Sequence, residues 1–220
     1  MTLSPWLRTS LALCMFAGQA ALGQATPSAP TLPVALLVQS PADTRTDLQI
    51  FCLFRSAPAM HGSLVEMNGK LDGLLVLLQK PGLFSAELGE TVLLAPALGA
   101  LGAKRVLIVG LGDAATFTPE RMYLVGKIAL READRLGVAH PFFAPAILDG
   151  GVSGFSTGAV AEQVVRGFRD ALATQALLRA QGAAGPLAVE DFTFLAGEAH
   201  AADTQSGIDR ALGRPSAAKQ

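Results

Sequence analysis

Two short unbroken apolar runs, Thr91–Ala95 and Arg105–Gly110, each closed by glycine or proline, constrain this chain more than any other feature. Runs of five or six residues with no polar face are too short for a buried helix. They have the form of strands covered on both sides. Such strands need helices above and below the sheet, and the rest of the sequence supplies them.

Val34–Val38 and Leu48–Phe54, separated by a polar Pro/Asp/Thr turn, read as two further strands. Ser63–Gln79 carries Leu64, Met67, Leu71, Leu74, Leu75 and Leu78 at helical spacing, predicting one helix ended by Pro81-Gly82. Thr118-Pro119-Glu120 predicts a helix start: a capping hydroxyl, a proline where no amide hydrogen is needed, and a carboxylate at the positive end of the dipole. That helix runs to Leu136, and Gly137 stops it. Phe142–Ile147 predicts a strand with Pro145 at its end or at an edge. Thr157–Gln181 is the longest amphipathic helix, and Val189–Leu195 the last strand. Beyond Gly197 one or two helical turns are expected around Gly207–Leu212, followed by fraying. The alternation predicts an α/β fold: a mixed sheet between two helical layers.

Residues 1–25 read as an export signal. Arg8 supplies the positive region, Leu11–Leu22 an apolar stretch too short to cross a bilayer, and small residues near Gly23 a cleavage site. Residues 26–33, rich in proline, form an extended, mobile leader. The expected organisation is a domain over 34–200 and a C-terminal tail over 201–220. Loss of Arg8, the one charged residue of the signal, moves the formal charge from −1 to −2. That balance gives no footing to nucleic acid or, once the signal is removed, to a membrane surface. Cys14 leaves with the signal, so Cys52 has no internal disulfide partner and reads as a buried strand residue.

Several motifs compete for a functional meaning. Gly110-Leu111-Gly112-Asp113-Ala114-Ala115 fits a dinucleotide fingerprint in letters, but the following helix begins too late for its amides to meet a pyrophosphate. A tight turn after a buried strand is the better reading. Gly154-Phe155-Ser156-Thr157-Gly158 fits a nucleophile elbow, with Asp191 and His200 following in hydrolase order. Asp149–Ser153 intervenes as a loop where a strand should run straight into the turn, so Ser156 reads better as a helix cap. His61, His140 and His200 lack any ligand spacing with cysteines or carboxylates, so neither a metal nor another cofactor is expected. The charges between Arg121 and Arg135 alternate around an apolar stripe and read as a solvated face.

Gly89-Glu90-Thr91-Val92-Leu93-Leu94, followed by Ala103-Lys104-Arg105-Val106-Leu107-Ile108-Val109-Gly110-Leu111-Gly112, resembles the N-terminal domain of the leucyl aminopeptidases. The resemblance implies a domain without catalytic residues, serving oligomer contacts and access to an active site carried elsewhere. It implies a free-standing, exported module whose partner is itself or a separate peptidase. The metal-binding segment of that family's catalytic domain has no counterpart in this sequence.

Pro145-Ala146-Ile147 with Gly150-Gly151-Val152-Ser153-Gly154-Phe155 is similar to the phosphate-binding loop of macro domains, which the aminopeptidase domain resembles in fold. This second resemblance implies a macro-domain-like architecture. It also implies an ADP-ribose-like ligand held by Asp149, Gly150, Gly151, Val152, Ser153, Gly154 and Phe155, whose glycines permit close approach to an anion at a helix start. Asp149 opposes such a ligand by its charge.

Overall fold

The computed structural model describes residues 31–55 and 59–215. The export signal and most of the leader lie outside the described residues. The strands are β1 (Val34–Val38), β2 (Gln49–Leu53), β3 (Thr91–Leu94), β4 (Val106–Gly110), β5 (Phe142–Ala144) and β6 (Phe192–Ala196). The helices are α1 (Gly62–Lys70), α2 (Leu74–Leu78), α3 (Arg121–Arg135), α4 (Thr157–Ala180) and α5 (Ala201–Leu212).

The strands form one sheet in the order β1-β6-β5-β2-β4-β3. Every neighbouring pair is parallel except β3 with β4. All residues of β2 and β4 are buried, because their side chains alternate between two apolar layers. Ile50, Cys52, Leu107 and Val109 face α3, α4 and α5. Phe51, Leu53, Val106 and Ile108 face α1 and α2 on the other side. The architecture is the expected α/β/α sandwich with a mixed sheet.

Five expectations change. β3 is an edge strand rather than a doubly covered one, with Leu93 41% exposed. The run Ser63–Gln79 is two helices. Asp72 (φ 50°) and Gly73 (φ 80°) turn the chain in left-handed conformations, which lets Leu75 join Leu64 and Met67 in one layer. The helix expected at Thr118 begins at Arg121. Thr118 offers its carbonyl to the Arg121 amide, not a capping hydroxyl to the helix. The supposed tail contains α5, three turns long, with Thr204, Gly207, Ile208 and Ala211 buried, so the fold continues past residue 200. The leader also ends earlier than expected: Leu32 is buried and the Pro33 carbonyl accepts from the Phe192 amide.

Helices α3 and α4 meet at backbone contact. A Cβ on Gly126 would lie 2.0 Å from the Val164 carbonyl oxygen, and one on Gly167 1.9 Å from that of Tyr123. Asp134 is not simply solvated. It pairs with Arg179 at 3.1 Å and accepts from the Ala188 amide, tying α3 to the end of α4 and to the segment leading into β6.

Gly167→Ala therefore separates propensity from packing. Alanine favours a helix by about 1 kcal/mol, yet its methyl group must force two backbones apart, at a cost of about 1–3 kcal/mol or more. Urea denaturation should show a net loss of stability, and a gain would mean that the two helices do not touch there.

Candidate functional site

The carboxyl ends of β1, β5 and β6 open into a cleft of about 550 Å³. Its floor is apolar: Ile147, Val160 and Phe194 are all buried. Helices α1 and α4 both begin at its margin, where Ser63 and Thr157 line the wall. Each helix start presents unpaired amide hydrogens and the positive end of a dipole, so each needs an anion or a cap.

Both starts are closed by the chain's own carboxylates. At α1, Asp149 Oδ2 accepts from the Ser63 amide at 3.1 Å and from the Ser63 hydroxyl. The Asp149 carbonyl accepts from the His61 amide at 2.7 Å. At α4, one oxygen of Asp203, from the first turn of α5, accepts from Ser156 Oγ (2.9 Å), Thr157 Oγ1 (2.9 Å) and the Gly158 amide (2.8 Å). These bonds, led by that of the Gly158 amide, hold the Asp203 carboxyl below the usual aspartate range against the opposing effect of burial. Two glycines allow α5 to come this close, since a Cβ on Gly207 would lie 1.9 Å from the Gly158 carbonyl oxygen.

The glycine-rich loop is likewise bonded to itself. The Gly150 amide donates to the carbonyls of Ala146 (2.9 Å) and Ile147 (3.1 Å). That of Gly151 donates to Leu148 (3.0 Å), and that of Val152 to Ile147 (3.2 Å). Residues 146–152 thus form one tight turn in which the amides of Gly150, Gly151 and Val152 point back into the chain. Gly150 rests against the Phe54 ring, while Phe155 meets Phe117, and Phe117 meets Phe54, edge-on at 5.5 Å. Of residues 149–155 only Asp149 and Phe155 line the cleft. Ser153 and Gly154 are exposed and lie outside its lining. The loop precedes α4 as expected, whereas Asp203, which caps a helix other than its own, carries no local sequence signal and is not among the candidate residues.

The elbow motif assembles no triad. Ser156 Oγ accepts from the Ala159 amide, which makes it the cap of α4, and donates to Asp203. Asp191 lies at the opposite end of the sheet, before β6, bonded to His140 Nδ1 at 2.8 Å. The glycine fingerprint leads into a short 3₁₀ turn, Ala114–Thr116, capped by Asp113. Gly110 is required there because a Cβ would lie 2.2 Å from the Glu87 carbonyl oxygen. Cys52 is buried, and burial pushes its thiol pKa far up, so it is chemically quiet. Among the described residues no three His, Cys, Asp or Glu side chains gather in a group that could hold a metal ion.

The profile of the cytosol aminopeptidase family, N-terminal domain, matches residues 53–179, more than half of the chain. The chain belongs to this family. Tomato leucine aminopeptidase, solved as a point mutant, is similar in structure with a TM-score of 0.57 and 17% identity, over 84% of this chain and 37% of the tomato chain. The present chain thus spans little more than a third of that enzyme. An Oceanobacillus iheyensis macrodomain mutant is similar at a TM-score of 0.58 and 11% identity, over 81% of this chain and 88% of its own. A Trypanosoma brucei macrodomain solved in complex with ADP-ribose is similar at 0.54 and 15%, over 82% and 69%. At such identities the likeness is one of fold. No curated protein matches the sequence. Within this aminopeptidase N-terminal domain, the places where a macro-like fold could offer helix starts to an anion are held by Asp149 and Asp203.

Asp203→Asn should lower stability by about 1 kcal/mol, the scale of a lost helix cap. Folding lowers the Asp203 pKa, so its contribution is full above the unfolded value, about pH 4, and fades as pH falls through the lowered one. The difference in Tm between wild type and variant should therefore shrink between about pH 5 and pH 2. A difference that stays constant over that range would contradict the contact.

Proposed function

We propose that this domain is a non-catalytic interaction module serving a peptidase, and that it is exported, as the sequence of residues 1–25 implies. The observation that carries the reading is the closure of both helix starts at the cleft by Asp149 and Asp203. A domain whose strongest backbone donors are occupied by its own acids is built to hold its shape. Family membership supports the association with peptidases. A surface for a protein partner is available at the sheet edge, where uncharged β3 leaves Leu93 41% exposed and nearby Leu98 fully so.

Binding of an ADP-ribose-like ligand is the second reading, favoured by the fold shared with a macrodomain solved with ADP-ribose. A diphosphate at either helix start would have to displace a carboxylate and then sit beside it. Calorimetry separates the two readings. No saturable heat with millimolar ADP-ribose, for the wild type or for Asp149→Asn, supports the module. Saturable binding that strengthens in Asp149→Asn overturns it.

The same protein should hydrolyse no leucyl-amide substrate when manganese or zinc is added. It should co-elute with a separately purified two-metal aminopeptidase, and Leu93→Lys with Leu98→Lys should abolish the co-elution. Turnover lost on mutating the chain's own Asp or Glu residues would contradict the non-catalytic part. Separate elution of the wild type would contradict the partner.

A further inference from the structure

The cleft has a chemistry that neither helix start explains. Its lining carboxylates are Glu66, Asp149 and Glu198; the His200 imidazole lines it as well, and no lysine or arginine does. Asp149 is committed to α1, and Glu66 is shared between the Ser40 hydroxyl at 2.9 Å and Lys70 at 3.2 Å. Glu198 forms no ion pair among the described residues and stands exposed at the mouth. Beneath this acidic rim lie Phe155, Val160 and Phe194, packed against the main core.

An acidic rim over an apolar floor repels a phosphate and attracts an ammonium. The floor adds binding for an apolar group carried next to that charge. A volume of about 550 Å³ falls within the range of clefts that enclose small organic ligands and exceeds what a lone inorganic cation would fill. The walls are preformed: Phe155 is held by its ring contact with Phe117, which in turn rests on Phe54, and the turn beside it by its own hydrogen bonds.

We infer that this cleft binds an organic ammonium joined to an apolar group, with the ammonium at Glu198 and the apolar group over Phe155, Val160 and Phe194. The amino terminus of an apolar peptide and a free apolar amine share this chemistry. The inference stands on the cleft alone, whether or not the domain partners a peptidase.

The test is calorimetry of the whole protein with three probes: phenylalanyl-leucine amide, its N-acetyl derivative and phenethylamine. Saturable binding of the free-amine dipeptide amide is expected, weakened about tenfold or more by acetylation, which removes the charge and leaves a single amide donor. Phenethylamine distinguishes the sources: comparable binding means that a simple amine suffices, and weak binding means that the peptide continues to contribute. Glu198→Gln, at an exposed position, should weaken the free amine about threefold and leave the acetylated probe unchanged. Gln39→Lys, which adds a cation at the exposed rim, should act in the same direction. Both variants should keep the wild-type Tm. No saturable binding of either amine, or equal binding of the free and acetylated peptides, overturns the inference.

Discussion

Two helices that start at the same end of a mostly parallel sheet create an electrostatic demand which the rest of this structure meets. The positive ends of α1 and α4 converge on the carboxyl ends of β1, β5 and β6, where their free amides require an acceptor. Asp149 answers one and Asp203 the other, and each draws a neighbouring element into place. Asp149 fixes the turn after β5 against α1, and Asp203 fixes α5 against α4. What would serve an open fold of this type as an anion site serves here as an internal clamp.

The clamp shapes what the cleft can do. Filling the helix starts with carboxylates occupies the strongest anion donors, and Asp149 adds its charge to a wall that no lysine or arginine lines. The apolar floor remains accessible because Phe155 is held on Phe117 and does not collapse into the space. Kinship with the aminopeptidase N-terminal domain and a fold like that of macrodomains therefore coexist with a cleft whose two helix starts are held by the chain's own acids.

Much of the fold was legible in the residues. The strand Val34–Val38 falls where its apolar run predicts, Gly137 stops α3 with a left-handed φ of 68°, and Ser156 caps α4. The errors have physical causes. An apolar run such as Thr91–Leu94 cannot reveal whether both faces are covered, because that depends on its place in the sheet. Asp72 and Gly73 both adopt left-handed conformations that their types tolerate, so the break between α1 and α2 has a turn signal that the helical spacing of the leucines on either side outweighs. The glycine loop falls where the sequence puts it, but spacing alone does not show that the carbonyls of Ala146, Ile147 and Leu148 take up the amides of Gly150, Gly151 and Val152. A signal for α5 was present: Thr204, Gly207, Ile208 and Ala211 follow helical spacing with small side chains, a stripe suited to close contact with α4 rather than to a bulky core.

The central claim is that Asp203 acts as the resident anion of α4. The direct measurement is an NMR titration that follows the Asp203 carboxyl carbon and the Gly158 amide proton together. The account predicts that both resonances move with one midpoint below the usual aspartate value and that added millimolar phosphate leaves the Gly158 amide unshifted at neutral pH. A carboxyl that titrates at the ordinary aspartate value without moving the Gly158 amide, or an amide that shifts on adding phosphate, would contradict it.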